Sequence, residues 1–417
     1  MARGPVRDWH LLLSAHGVSA LGSMVTVVAL PVVAIVQLGA TTLQASQLVL
    51  AEFLPAAVLG PLGGLLIDRL PLRPLLVGAD LLRAAALLAV PITLNAGAGS
   101  IWLLIGLAAV LGVLTALFNA AAETAMPSVV PQPMLAGANS QRSTVQSIAR
   151  IVGPAMGGLL VGLVSAANAM IADSATFVVS AALIAGIRAD RMRAGIGRQG
   201  PARTVARLRE GFRTIRTDVV LFRGVLGMAT LNFAGGGIGA LFYVYAFRRL
   251  GLDAADVGLA LSFASGGALA GALASTVVGR WLGQTRACLV GATVVAGSLF
   301  GVPAATLGAP LALLMFYEAA FGVGAAVWSI TMATLRQSRT PAERLGRVSS
   351  VHGAVAIATL PLGTLVAGLI GDTLGLTRAI LVLAAVGALT PIWYATPAFL
   401  RAVAPAARTA EAAPANT

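Results

Sequence analysis

The sequence has few charged residues and few of the side chains that metal or redox sites need. Only 10% of its 417 residues are charged and 58% are hydrophobic, whereas soluble domains carry about 25% charged residues. The single cysteine, Cys288, excludes an intramolecular disulfide and a cysteine-based metal cluster. The three histidines, His10, His16 and His352, are too scattered to form a helix-spaced ligand set. We therefore expect no metal and no cofactor.

Lysine is absent altogether, which excludes a Gly-x4-Gly-Lys loop for binding ATP. No nucleophile-and-base constellation is apparent inside the spans and no His-Glu-x-x-His motif occurs, so the sequence does not predict an enzyme. The net charge of +13 comes from 28 arginines against 15 acidic residues. Because no basic groove with interleaved aromatics is present, we expect no nucleic-acid partner and interpret the arginines as a membrane topology signal.

Long apolar runs are what the sequence has instead. A membrane-spanning helix needs about 20 mostly apolar residues. Such runs occur near 11–36, 47–67, 74–95, 101–125, 140–165, 168–188, 222–247, 256–279, 287–307, 310–335, 347–371 and 375–398. The predicted fold is an all-α membrane protein with twelve transmembrane helices in two pseudo-symmetric six-helix bundles.

The runs divide the chain into five parts. These are an N-terminal segment (1–10), an N-terminal six-helix bundle (11–188), a linker with an amphipathic helix (189–220), a C-terminal six-helix bundle (221–398) and a disordered tail (399–417). The linker helix places arginines opposite apolar residues, which is typical of a helix on an anionic leaflet, although a solvated connector has the same pattern.

The arginines lie almost entirely on one side of the predicted membrane. Only Arg248, Arg249 and Arg378 fall in loops of the other side. The positive-inside rule makes the arginine-rich side cytoplasmic. We therefore expect a multi-pass protein of the cell's inner membrane with both termini in the cytoplasm.

The two halves resemble each other weakly. The segments "PQPMLAGANS" (131–140) and "PAERLGRVSS" (341–350) share Pro, Leu and Ser at equal spacing, and each begins the fifth span of its half. Duplicated six-span units with a substrate site between them are a common design of transporters.

A polar signature ends the second span, in "GGLLIDRLPLRP" (63–74). The arrangement from Gly64 to Arg73 resembles the Gly-x-x-x-Asp-Arg-x-x-x-Arg loop of the major facilitator superfamily. The resemblance implies that Asp68, Arg69 and Arg73 form a conformational latch between the halves. Helix capping by the acid and lipid anchoring by the arginines is the alternative.

A second signature lies in the fifth span, in "ARIVGPAMGG" (149–158). Its Gly153, Pro154, Gly157 and Gly158 resemble the antiporter motif of the same superfamily. Small residues allow helices to approach closely, and proline removes a backbone donor. In that family the motif accompanies export.

Longer stretches, among them "ANSQRSTVQSIARIVGPAMGG" and "IADSATFVVSAAL", are similar to the enterobactin-exporter and macrolide-efflux branch. The resemblance implies a proton-coupled exporter of a bulky amphiphilic molecule such as a drug, macrolide or siderophore. The partners expected are that small molecule, protons and the lipid bilayer, and the protein is expected to act as a monomer. A proton-coupled nutrient importer and a non-transporting scaffold are the alternatives.

Ionisable residues inside spans are costly and are usually functional or paired. Asp80 and Arg83 are three residues apart on one helix, which predicts an ion pair, and Glu123 is expected to pair with Arg142 or Arg150. The remaining candidates for proton coupling are Glu318 first, then Glu52 and Asp173, with Arg150 as a substitute for an arginine missing from the fourth span.

Polar and aromatic residues within the spans are the candidates for a substrate cavity. They are Asn119, Asn232, Tyr243, Tyr317 and Trp328. Packing or an interfacial position is the alternative for the aromatic members.

Overall fold

The structure is a computed structural model that describes residues 3–67, 70–188 and 201–403. Within those ranges every regular element is helical. The first half contains α1 (Arg3–Val32), α2 (Thr42–Ile67), α3 (Leu72–Asn95), α4 (Ile101–Val129), α5 (Leu135–Val164) and α6 (Ala166–Ala185). After the connecting helix α7 (Pro201–Thr217), the second half contains α8 (Val219–Val244), α9 (Ala254–Ser298), α10 (Gly301–Ala304), α11 (Pro310–Arg339), α12 (Ala342–Leu374), α13 (Leu376–Gly387), α14 (Thr390–Tyr394) and α15 (Pro397–Val403).

These helices cross the membrane twelve times. The described residues contain ten stretches that are long and apolar enough to span a bilayer. One of them, Ala254–Leu307, supplies two crossings because α9 bends at Gly283, and α2, with 26 residues, supplies the twelfth. The prediction of twelve spans is confirmed, and an even number places both termini on one face, here called the termini face.

The bend in α9 is a reversal of the chain. Gly283 has φ 77°, a left-handed conformation that glycine adopts without steric cost. Gly271 before the bend and Gly291 after it both lie against the middle of α11, at Val323 and Gly324. The two arms of α9 therefore run in opposite directions along the same helix.

The two halves repeat one backbone plan. Gly39 and Gly251, which follow the first span of each half, have φ of 65° and 67°. Ser165 and Gly375, which join the fifth and sixth spans of each half, have φ of 82° and 83°. Matching left-handed residues at matching turns support the internal duplication that the sequence indicates.

The halves contact each other on the face opposite to the termini. Gly158 of α5 lies against Ala254 of α9, and Gly371 of α12 lies against Thr42 of α2. We call these two helix pairs, α5 with α9 and α2 with α12, the seam. Because glycines bring the backbones together there, the protein is closed on this face.

Both ends of the chain differ from the prediction. Helix α1 begins at Arg3, so most of the predicted N-terminal segment continues the first span. Helix α15 covers 397–403 with Phe399 fully buried, so the tail predicted from 399 starts with folded structure. The remainder of that tail, 404–417, and linker residues 189–200 lie outside the described residues.

The predicted linker helix is α7, and it packs on α12. Ile215 of α7 is buried with Val348 and Val351, and Glu210 forms an ion pair with Arg347. A helix with an apolar stripe needs a partner surface, and α12 provides one for this end of α7.

Candidate functional site

A buried ion pair lies in the middle of the first half. Asp80 and Arg83 of α3 form the predicted pair, and their side chains are almost inaccessible to solvent. The guanidinium carbon of Arg83 lies 4.2 Å from the ring centre of Phe118 and 4.4 Å from that of Phe177. Two aromatic faces and one carboxylate thus compensate the cost of burying this cation.

Asp173 of α6 belongs to the same polar region. It is 1% exposed, accepts a hydrogen bond from Thr26 of α1 and accepts another from Thr176 at 3.1 Å. Arg83 lies within electrostatic range of its carboxyl. The structure therefore places this candidate for proton coupling in a hydrogen-bonded network that joins α1 and α6.

A cavity of about 180 Å³ opens beside this region. Asn119 of α4 and Arg150 of α5, both candidates from the sequence, lie in its wall with exposed side chains. His16 forms a hydrogen bond of 2.8 Å with Gln146 in the same wall. The other lining residues are Ser19, Ala20, Ser23, Met24, Arg83, Thr115, Phe118 and Ala149.

Glu318 and Glu52 come from opposite halves of the protein and share one neighbour, a tyrosine. Glu318 of α11 is 7% exposed and Glu52 of α2 is half-buried. Both carboxyls lie within electrostatic range of Tyr243 on α8. Neither carboxyl has a hydrogen-bond or ion-pair partner among the side chains that the structure describes, which sets these two acids apart from Asp80 and Asp173.

Glu52 and Glu318 lie at similar depths below the seam face. Glu52 lies ten residues into α2 and Glu318 eight residues into α11, counted from the helix ends at the seam face. At 1.5 Å per residue these distances correspond to about 12–15 Å. Both acids therefore lie well inside the membrane-spanning part of their helices.

The remaining cavity candidates have different surroundings. Tyr317 packs beside Phe242 and Phe321 in the core of the second half. Trp328 is buried beside Tyr394, with ring centres 6.5 Å apart. Asn232 is half-buried and donates a hydrogen bond of 3.5 Å to the carbonyl of Ala356. None of the three lines the cavity beside Arg150.

Each glycine of the fifth-span motif faces a different neighbour. Gly153 lies against Met24 and Gly157 against Val25, both on α1. Gly158 faces Ala254 across the seam. The motif thus allows close packing on both sides of α5, toward its own half and toward the other.

Pro154 takes part in the seam as well. Its carbonyl lies against Gly258 of α9, and the next residue, Ala155, donates its backbone N–H to the Ser262 hydroxyl at 3.0 Å. The backbone at and just after the proline therefore contacts the opposite half.

The predicted latch is described only in part. Asp68 and Arg69 lie outside the described residues. Arg73 donates a hydrogen bond to the carbonyl of Ala185 at the end of α6. This arginine therefore joins α3 to α6 within the first half.

Sequence reasoning missed the polar contacts that close the seam face. Arg248 of the second half donates hydrogen bonds to the carbonyls of Ala40, at 2.7 Å, and Ile35, at 3.4 Å, in the first half. Asp372 accepts a hydrogen bond of 3.3 Å from the backbone N–H of Leu43. The rarity of arginine on this side of the predicted membrane was the only signal that singled out Arg248.

Comparisons with known proteins agree with this architecture. The sequence profile of the Major Facilitator Superfamily matches residues 12–360. The multidrug efflux pump Tap of Mycolicibacterium fortuitum is 29% identical over 397 residues, which cover 91% of this chain and 92% of that protein. Macrolide efflux protein A of Streptococcus pyogenes is 27% identical over 335 residues, covering 79% of this chain and 81% of that protein.

Solved structures share the fold. A bacterial homologue of the iron transporter ferroportin, crystallised in an inward-facing state, has a TM-score of 0.75 at 17% identity and covers 96% of this chain and 99% of that one. A bacterial homologue of the lysosomal transporter Spinster has a TM-score of 0.70 at 15% identity, covering 97% and 99%. With twelve spans in two similar halves and a family profile that matches most of its length, the chain belongs to the Major Facilitator Superfamily and is a membrane transporter, not an enzyme.

Proposed function

We propose that this protein is a proton-coupled exporter of bulky amphiphilic small molecules, a monomer whose two termini lie in the cytoplasm. The relatives named as multidrug and macrolide efflux proteins support export as the direction of transport. The excess of arginine on the termini face supports the orientation. In this orientation the closed seam faces outward and the cavity beside Arg150 takes cargo from the cytoplasmic side.

The observation that carries proton coupling is the environment of Glu318. A carboxyl group inside a membrane span is costly unless it is paired, solvated or protonated, and no described side chain pairs with Glu318. Glu318 lies within electrostatic range of Tyr243, and so does Glu52 from the other half. Opening the seam changes the solvation of both acids, which is the requirement for exchanging a proton with the outside.

The proposed cycle couples this exchange to the movement of the halves. Cargo binds from the cytoplasm while the seam is closed, and the halves then rock so that the seam opens and cargo leaves. Protons bind the exposed acids and favour the return, because neutral acids are cheaper to bury than charged ones. Each proton that moves into the cytoplasm also releases about 2.3 kcal/mol of free energy per 100 mV of membrane potential.

Replacement of Glu318 by glutamine tests the proposal. Everted membrane vesicles with an acidified lumen are supplied with erythromycin, a macrolide, or with the cationic dye ethidium, and accumulation is measured at matched expression. We expect wild-type protein to accumulate at least one probe and Glu318→Gln to lose at least 90% of that rate, since glutamine keeps the shape but cannot carry a proton. Glu52→Gln in the same assay tests the second acid.

Glu343→Gln is the matched control, because Glu343 is exposed at the start of α12. We expect it to keep the wild-type rate. Full proton-dependent accumulation in Glu318→Gln contradicts its role. Net release of probe on acidification identifies an importer instead, and the absence of any proton-dependent flux contradicts the exporter altogether.

A further inference from the structure

Arg150 is a cation in the cavity wall, and no described residue of that wall balances its charge. The other one, Arg83, is paired with Asp80 and lies near Asp173. The nearby Arg142 is paired with Glu123 at 3.1 Å. Arg150, by contrast, is exposed and has no hydrogen bond or ion pair with any side chain or carbonyl in the described ranges.

An arginine in this position suits ligand binding better than proton transfer. The guanidinium group of arginine has donors only, which suits it to holding an anionic ligand. It presents a planar set of donors that matches the two oxygens of a carboxylate. No acidic side chain lines the cavity among the described residues, so no internal carboxylate competes for those donors.

The other residues of the cavity wall determine which parts of a ligand can bind beside an anionic group. The exposed amide of Asn119 has no partner among the described residues and offers a further donor. Ser19 and Ser23 donate their hydroxyl protons to backbone carbonyls of α1, which leaves their oxygens as acceptors. Met24 and Phe118 add apolar surface. The cavity thus combines one fixed cation with neutral polar and apolar contacts.

We propose that this cavity binds the carboxylate end of an amphiphilic cargo molecule, with Arg150 as its charge partner. The proposal rests on the proposed transport function and names the class of its substrate. At about 180 Å³ the cavity holds the anionic end of the molecule, and the apolar remainder extends beyond it.

The test compares an acid with its neutral ester. Purified protein in detergent is titrated with dansyl-leucine and with dansyl-leucine methyl ester, which share one apolar body, and the change in dansyl fluorescence gives the two dissociation constants. We expect the wild type to bind the acid at least tenfold more tightly than the ester, because a hydrogen-bonded charge pair contributes at least that factor.

The variants separate charge from geometry. Arg150→Gln is expected to weaken acid binding about tenfold and to leave ester binding unchanged, so that the ester verifies the fold. Arg150→Lys is expected to lose less, since it keeps the charge but not the paired donors. Arg213→Gln, on the exposed face of α7, is the control and is expected to match the wild type.

Each result bears on the assignment. Equal affinity for acid and ester in the wild type, an unchanged ratio in Arg150→Gln, or no binding of either probe overturns it. Proton-driven accumulation of ethidium by the same wild-type protein then shows that the exporter function stands while the carboxylate site does not. If all proton-driven flux is absent while acid-selective binding is intact, the carboxylate site stands and the exporter function does not.

Discussion

A methyl group added at Gly158 is expected to destabilise the closed seam and little else. The new Cβ would meet the carbonyl of Ala254 and would lie 3.1 Å from the Cα of Ala255 on the opposite half. Insertion of a methyl into such tight packing costs about 1–3 kcal/mol. In the conformation with an open seam these backbones separate and the cost disappears. The equilibrium therefore shifts toward the open seam by about 5–150-fold.

The same helix offers a matched control. Gly162 lies one turn further along α5, and a Cβ there would meet nothing within 4 Å. Gly162→Ala adds the same methyl and the same gain in helix propensity, about 0.8–1 kcal/mol, in both conformations. Any difference between the two variants thus reports the seam contact.

Cysteine labelling measures the shift. Ser46 of α2 is buried in the other helix pair of the seam, and Cys288, the only native cysteine, is replaced by serine. If the seam faces outward, as proposed, a membrane-impermeant maleimide added outside intact cells reaches Ser46→Cys only when the seam opens. We expect Gly158→Ala to raise the labelling rate by the factor above and Gly162→Ala to leave it unchanged. Equal rates in the two variants would refute the assignment of this contact to one conformation.

Three further substitutions have expected outcomes. Arg248→Ala removes the charged hydrogen bonds across the seam face and is expected to raise labelling of Ser46→Cys about tenfold; an unchanged rate counts against this role. Asp80→Asn leaves a buried guanidinium without its carboxylate and is expected to cost about 3 kcal/mol, seen as a lower unfolding midpoint in detergent. Glu210→Gln breaks an ion pair that is partly exposed and is expected to cost less than about 1 kcal/mol in the same measurement. Equal losses from the last two variants would contradict the difference in burial.

The number and the approximate limits of the spans follow from hydropathy. The tenth predicted span, 310–335, corresponds to α11 (Pro310–Arg339), and the fourth, 101–125, to α4 (Ile101–Val129). Bilayer thickness sets the minimum length of an apolar run, but it does not limit how far a helix extends into water. This is why α1 begins within the predicted N-terminal segment.

Charge pairs were predictable when their members are close in sequence. Asp80 and Arg83 are three residues apart on one helix, so the helix itself brings them together. Glu123 was expected to pair with one of two arginines, and in the structure it pairs with Arg142. For Asp173 no partner was predicted, because Thr26 comes from a distant helix.

The sequence by itself determined the class of the protein, the twelve spans, the duplication and the family, because these depend on composition, on apolar run length and on local motifs. Only the tertiary structure decided which polar groups meet. It brought Glu52 and Glu318 within electrostatic range of the same tyrosine, left Arg150 without a partner among the described residues and placed Gly158 on the seam. The physical reason is that these relations join helices far apart in the chain, and the orientation of each helix about its axis is set by packing against its neighbours.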